Sequence, residues 1–196
     1  MKKTLLLACG LLLSIAGFAQ NPEVQATIND VKFFGIDFSQ VRTYDAKESL
    51  DKFKEAFTRI NELFIAEPKK YDVAKNFKKD VTETLVDQVK ELNNTITDDI
   101  LYGGSKDFQL SDEQVAQQIK SLPITETEGT GLIFVAELLN KKKDRGTYHI
   151  VFFDIASRDI LDTWRATGDA GGAGLRNFWA RSVLEVMEHV KIKKNK

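Results

Sequence analysis

A glycine-rich segment in the last third of the chain is the clearest candidate for chemistry. The run Gly168-Asp-Ala-Gly-Gly-Ala-Gly174 joins an alternating apolar segment to a predicted helix. Backbone N–H groups at such a helix start can bind an anion, and flanking arginines would add positive charge. The candidate ligand-binding residues are therefore Arg165, Gly171, Gly172, Gly174 and Arg176.

The glycine spacing does not match an established phosphate-binding motif. It is neither G-x-x-x-x-G-K-[ST] nor a G-x-G-x-x-G that follows the first strand of a βαβ unit. Glycines also permit the positive φ values that a strand-to-helix connection often needs. We therefore favour a structural connection here and keep an anion site as the alternative.

Trp164 is the second candidate, as an anchor for a partner protein. It lies in a predicted edge strand, and aromatic residues dominate the energetics of many protein interfaces. An equally good interpretation is that Trp164 closes the core beneath the C-terminal helix. The sequence leaves both roles open.

The remaining polar residues indicate no catalytic, metal or cofactor site. His149 stands within an aromatic strand, and His189 stands near a helix end, where a cation suits the helix dipole. No G-x-S-x-G motif surrounds a serine, and the aspartates lack the calcium-loop pattern. The sequence predicts no enzyme, and an undetected hydrolase is the weakest alternative. The serines and aspartates considered are Ser39, Ser157, Ser182, Asp98, Asp99, Asp154, Asp159 and Asp162.

Residues 1–19 have the pattern of a secretory signal peptide. Lys2 and Lys3 precede an apolar stretch, and small residues precede a cleavage site after Ala19. The sequence around Cys9 resembles a lipoprotein box, so acylation of Cys9 is the alternative. We expect an exported protein in the periplasm or associated with the outer membrane, with no transmembrane span once the leader is removed.

Composition narrows the class of the exported part. The whole chain has a formal net charge of −1, and loss of the two leader lysines makes the exported part more negative, so no basic field for nucleic acid is expected. Cys9 is the only cysteine, which leaves the exported part without a disulfide or a thiol. Residues 20–30 are polar and predicted to be loosely held. Residues 31–196 are long enough for a single α/β domain with its own core.

The elements that would position the candidates are predicted from hydrophobic periodicity. Three apolar runs form a C-terminal β-meander, of which the second is central and the third lies at an edge. They are Gly131 to Leu139, Thr147 to Ile155, and Ile160 to Thr167. A helix follows Gly174. Gly146 is expected to form the first hairpin turn.

The earlier part of the chain predicts one buried strand and several helices. The strand spans Val31 to Phe38, and Gly35 in it suggests a bulge or a close approach of another element. A helix capped by Asp45 would end at Pro68, a second would run from Asp80 to Asn94, and a third would begin at a capping box, Ser111 to Gln114. Residues 95–101 read as extended. The predicted fold is α+β or α/β, with a mixed sheet of about four to five strands against three to five helices.

This order of elements resembles a group of Gram-negative envelope domains. It is similar to the N-terminal domain of the Tol translocation protein, the curli secretion-channel lipoprotein and penicillin-binding-protein activator lipoproteins. The resemblance rests on the opening strand, on the helix and strand from Asp112 to Leu139, and on the close from Phe152-Phe-Asp-Ile155 through Ile160-Leu161 to Thr167-Gly168. One departure is the turn Ser157-Arg158-Asp159, which has no glycine.

The resemblance implies a non-catalytic, protein-binding module of the cell envelope and transfers no functional residue. We therefore expect an envelope protein as partner, bound at the Ile160 to Thr167 edge and the glycine-rich loop. The alternative is a protein that binds a small anionic ligand through that loop.

Overall fold

The computed structural model describes residues 21–190. The predicted leader, the cleavage site after Ala19, the alternative anchor at Cys9 and the last lysines lie outside these residues. Across residues 21–190, no helix is both long enough and apolar enough to cross a membrane.

The fold is mixed α+β and is built on one six-stranded sheet. The strand order is β3-β1-β4-β5-β6, and the short β2 continues the β1 side of β4. The pairs β1/β3, β1/β4 and β2/β4 are parallel, whereas β4, β5 and β6 form an antiparallel meander. The strands are β1 (Asp30–Asp37), β2 (Arg42–Tyr44), β3 (Asp80–Thr84), β4 (Thr130–Asn140), β5 (Arg145–Asp154) and β6 (Ile160–Asp169).

Helices cover both faces of the sheet. We call the side that carries α2, α3 and α7 the first face and the side that carries α6 the second face; each holds a buried apolar cluster. Because both faces are covered, the central strands are apolar on both sides. The helices are α1 (Pro22–Thr27), α2 (Leu50–Ala66), α3 (Val73–Phe77), α4 (Lys90–Asn94), α5 (Asp98–Leu101), α6 (Asp112–Lys120) and α7 (Leu175–Glu188).

The predicted meander is confirmed, with β5 between β4 and β6 and with β6 at the edge. The first hairpin differs in its chemistry. Asp144, not Gly146, takes the left-handed conformation (φ 47°). Gly146 is needed for space, because a Cβ there would lie 2.4 Å from Ser182 Oγ of α7. In the second hairpin Arg158 takes φ 61° without a glycine.

Gly35 interrupts β1 as predicted, and two buried asparagines bond the backbone groups of the residues that follow it. Gly35 has φ +81°, and a Cβ there would lie 2.4 Å from Asn61 Oδ1. That oxygen accepts the Ile36 N–H at 2.7 Å, while Asn61 Nδ2 donates to the Ile36 carbonyl at 3.0 Å. Asn93 Oδ1 accepts the Phe38 N–H at 2.6 Å. Side chains from α2 and α4 therefore satisfy backbone groups where the ladder is irregular.

Three predictions between residues 39 and 101 are wrong. The predicted helix from Asp80 is instead β3, a 3₁₀ turn and α4, because residues 80–84 pair with β1. Residues 95–101 include the helical turn α5. The first long helix has Ser49 as its N-cap residue, since Asp45 (φ 59°) lies just after β2, a strand that the sequence did not reveal. The predicted capping box of α6 is confirmed.

The segment predicted to be loosely held forms α1, which is fastened at both ends. The Asp162 carboxylate accepts the Asn21 N–H at 3.0 Å and Gln25 Nε2 at 2.8 Å. At the other end, Lys79 Nζ donates to the Gln25 and Ile28 carbonyls. A cation at a helix C-terminus also complements the helix dipole. Residues distant in sequence therefore hold this segment, which local composition does not reveal.

Candidate functional site

The glycine-rich loop begins at the end of β6 and leads into α7. Gly172 (φ 109°) and Gly174 (φ 81°) take the left-handed conformation that favours glycine. Gly174 is the N-cap residue of α7 and provides no side-chain cap. Gly171 donates its N–H to the Phe178 carbonyl at 3.0 Å, which folds the loop onto the first turn of the helix. The glycines thus allow the backbone conformation by which this loop connects β6 to α7.

The two arginines of the predicted anion site lie on opposite sides of the sheet. Arg165 is the Cα partner of His149, on the second face. Arg176 lies in the first turn of α7, on the first face, and its Nε and Nη2 atoms donate to Asn177 Oδ1. The structure therefore brings Arg176 together with Gly174 but not with Arg165.

Trp164 packs against the core of the first face. Its ring stacks on Phe152 with a centroid distance of 5.9 Å and lies 6.5 Å from the Phe77 ring. The side chain is partly buried. The sequence left two roles open for Trp164, a partner anchor or closure of the core. These contacts correspond to closure of the core.

An open pocket of about 460 Å³ lies between α2 and the start of α7. Arg176 and Gly174 line it from α7 and its cap, and Lys52 and Arg59 line it from α2. Glu55 also lines the pocket and pairs with Arg59 at 2.7 Å. The lining is net positive; its α2 charges are exposed, and Arg176 is partly buried.

A buried ionic cluster on the second face was not found from the sequence. Glu137 is fully buried, and its Oε1 accepts Arg165 Nε at 2.8 Å and Nη2 at 2.6 Å. Its Oε2 bonds His149 Nε2 at 2.8 Å and accepts the Leu110 N–H at 3.1 Å. The cluster joins β4, β5, β6 and the segment that leads into α6.

The electrostatics of this cluster favour an ionised Glu137. Burial raises the pKa of the Glu137 carboxyl, but the hydrogen bonds from His149 and Arg165 together with the Arg165 charge lower it below its ordinary value. The signal in the sequence was the single acidic residue in the apolar run of β4. Glu137 is also the extra residue of a β-bulge, between the pairs Ala136/Tyr148 and Leu138/Thr147.

The other polar candidates have structural partners. His189 follows α7 and contacts the Glu185 carbonyl through Nδ1 at 2.7 Å. Ser182 Oγ shares a 2.8 Å hydrogen bond with Tyr148 Oη. In residues 21–190, no group of three or more His, Cys, Asp or Glu side chains is arranged to hold a metal ion. Asp37 is fully buried, and burial raises the pKa of its carboxyl.

The outer edge of β6 is the most extended candidate surface. This strand has ten residues, and no backbone–backbone hydrogen bond joins its outer side to another part of residues 21–190. The opposite edge of the sheet is β3, which has five residues and includes Asp80 and Glu83. A strand as short as β3 offers few backbone groups for pairing with another chain. The ten-residue β6, although it carries Asp162, Arg165 and Asp169, offers more.

Comparison with models of protein families, with curated proteins and with solved structures finds no match to this chain. The resemblance to envelope domains remains a prediction from the sequence.

Proposed function

We propose that this chain is an exported, envelope-associated module without catalytic activity, which binds an extended segment of a partner protein along the outer edge of β6. The leader pattern supports export, either to the periplasm or to the outer membrane through Cys9. The observation that carries the binding mode is the unpaired edge of β6. In strand addition, backbone hydrogen bonds supply affinity and alternate side chains supply specificity.

The hydrogen bonds of the neighbouring hairpin indicate which groups a partner strand would meet. Ala170 donates its N–H to the Asp144 carbonyl at 2.7 Å, and the register from Arg145/Asp169 to Phe152/Asp162 is regular. Hydrogen-bonded and non-hydrogen-bonded pairs alternate in an antiparallel ladder. The N–H and C=O groups of Arg165 and Thr167 therefore point away from β5, toward solvent.

The side chains along this edge suit a partner of mixed polarity. Arg165 and Thr167 are exposed on the second face, and Leu161 near the start of β6 is 39% exposed. On the first face, Ala166 and Trp164 are partly buried. A partner strand would find one apolar side and one side with hydroxyl and guanidinium groups.

Introduced cysteines provide a direct test of this edge, because Cys9 is the only native cysteine. In the form cleaved after Ala19, Thr167→Cys carries the sole thiol. We expect a thiol-directed crosslinker on Thr167→Cys to capture one envelope protein reproducibly. The captured protein, once identified and purified, should bind the parent and slow hydrogen exchange at Arg165 and Thr167.

The matched control is Thr84→Cys, which places a thiol on an exposed threonine at the opposite edge of the sheet. It should capture no such partner. Thr167→Pro removes an outward N–H without removing a bond to β5, so it should abolish binding while the protein stays folded. Protection of some other surface in the purified complex, with β6 unprotected, would refute the proposed mode.

A second candidate function is the binding of a small anionic ligand in the pocket between α2 and α7. It is favoured by the convergence of Arg176, Lys52 and Arg59 near Gly174. The first N–H groups of α7 have no side-chain cap, and its first turn has no acidic residue. The sequence predicted Arg165 in this site. In the structure, Lys52 and Arg59 of α2 supply positive charge there instead.

Thermal unfolding in pyrophosphate checks this second function. Pyrophosphate should raise the unfolding midpoint of the parent, because a ligand that binds only the folded state stabilises it. Arg176→Ala should reduce that increase. Arg181→Ala should not, because Arg181 lies on the same helix and pairs with Glu185 outside the pocket. An unchanged midpoint for the parent would exclude phosphate-type ligands here.

A further inference from the structure

A smaller pocket on the second face combines features that neither proposed function uses. It has a volume of about 230 Å³ and lies between the segment that enters β2 and the helix α6. We call it the glutamine pocket, because four of its lining residues are glutamines. Its lining includes Gln40, Arg42, Leu110, Gln114, Gln117 and Gln118.

The first feature is a buried amide with an unmatched atom. Gln118 is 8% exposed, and its Oε1 has no hydrogen-bond partner in the described part of the chain. Burial of such a group without a partner is unfavourable, so proteins rarely retain one without a reason. The oxygen and nitrogen of the amide exchange places by a half-turn, so Gln118 can match either a donor or an acceptor on a ligand.

The second feature is an arginine without an acidic partner. No Asp or Glu of residues 21–190 forms an ion pair with Arg42, whose Nη1 donates to the Gln40 carbonyl at 3.1 Å. The guanidinium lies 5.2 Å from the centre of the Phe108 ring, which holds it from one side. Its remaining donors suit a carboxylate, which arginine binds through paired hydrogen bonds.

The third feature is the neutral polar character of the remaining lining. Gln114 Oε1 accepts the Ser111 N–H at 2.8 Å, so the capping box of α6 fixes the orientation of this amide. No acidic residue lines the pocket. Its volume is below the range of about 300–1,000 Å³ that is typical of sites for drug-sized ligands. A small molecule is therefore the appropriate occupant.

We propose that the glutamine pocket binds a small organic carboxylate that also carries an amide or hydroxyl group. Arg42 binds the carboxylate, and the Gln118 amide pairs with the second polar group. This site is independent of the β6 edge and of the pocket beside α7. The same chemistry occurs in free acylated amino acids and in the C-terminal residue of a protein.

Calorimetric titration with matched probes tests the site and its source of ligand. N-acetylalanine should bind the purified protein with millimolar or tighter affinity, and its C-terminal amide, which lacks the carboxylate, should bind at least about tenfold more weakly. Stronger binding of trialanine than of N-acetylalanine indicates a protein C-terminus; the reverse indicates a free metabolite. Absence of binding by both carboxylates overturns the proposal.

Two variants separate binding from folding. Arg42→Gln should weaken binding of N-acetylalanine by about tenfold or more, whereas Arg59→Gln on α2 should not. Gln118→Leu should abolish binding and yet leave the unfolding midpoint without probe unchanged or higher, because it removes an unmatched buried amide. Retained binding in Gln118→Leu, or a lower midpoint for this variant, contradicts the proposal.

Discussion

Replacing Arg165 with methionine should lower the free energy of unfolding by up to about 3–5 kcal/mol, the range for breaking a buried ion pair. The substitution removes the cation that neutralises Glu137, a carboxylate that is fully buried between β4, β5 and the segment before α6. An uncompensated buried charge is much more costly than the loss of an exposed ion pair. Urea denaturation at neutral pH measures the effect.

The pH dependence of this loss identifies Glu137 as its cause. In the parent, the pKa of Glu137 is depressed in the folded state, so its stabilisation is present above the ordinary titration range of glutamate and is lost as the pH falls through that range and below it. The variant lacks the stabilisation that Arg165 gives to ionised Glu137, so its free energy of unfolding falls less on acidification. The difference in stability between parent and variant should therefore shrink as the pH falls.

Two further variants control the interpretation. Arg181→Met breaks the exposed pair with Glu185 and should cost about 1 kcal/mol or less. Adding Glu137→Gln to Arg165→Met removes the uncompensated charge and should restore part of the loss. If Arg165→Met left the free energy of unfolding nearly unchanged, Arg165 would not stabilise Glu137. Arg165 would then be available as a ligand-binding residue.

Replacing Phe134 with alanine should lower the free energy of unfolding by about 3–5 kcal/mol. Phe134 is fully buried in β4, and its ring contacts those of Phe33, Phe64 and Phe77 at centroid distances of 5.6, 6.4 and 5.5 Å. Truncation leaves a cavity where the sheet, α2 and α3 meet, and also removes edge-on aromatic contacts. Thermal and urea denaturation should both record the loss.

A graded series distinguishes packing from other causes. Phe134→Leu fills more of the space than alanine does, so it should cost less than Phe134→Ala. Ile65→Ala on α2 should be nearly neutral, because Ile65 is 56% exposed. Equal losses for leucine and alanine would indicate that Phe134 acts through something other than the volume it fills.

The C-terminal meander could be predicted because its signals are local. β4 and β5 are nearly continuous apolar runs, β6 is more alternating, and turn residues separate the three strands. Periodicity and the turns therefore sufficed to place β5 between β4 and β6, with β6 at the edge. The capping box of α6 also lies within four residues. Such features depend on neighbours in the sequence.

The errors arose where distant residues decide the structure. Val81, Leu85, Val89 and Leu92 have helical spacing, but pairing with β1 makes residues 80–84 a strand. Likewise, the short strand β2 has only three residues and exists through its pairing with β4.

The candidate site shows the same division. Gly171, Gly172 and Gly174 form the loop before α7 that the sequence predicted. The pairing of Arg165 with Glu137 was missed, because the two residues are 28 positions apart and meet across β5. In a strand, one residue of displacement moves a side chain to the other face, so sequence proximity to the glycines did not place Arg165 near Arg176.

The position of β1 in the sheet has a consequence for the folding of the chain. β1 pairs with β3 and β4, and β4 begins only at Thr130. The residues before Thr130 therefore lack the strand with which β1 must pair, and closing a loop of this length slows folding. The meander can form from neighbouring segments alone. The N-terminal part therefore cannot complete its core without β4, which the last third of the chain supplies.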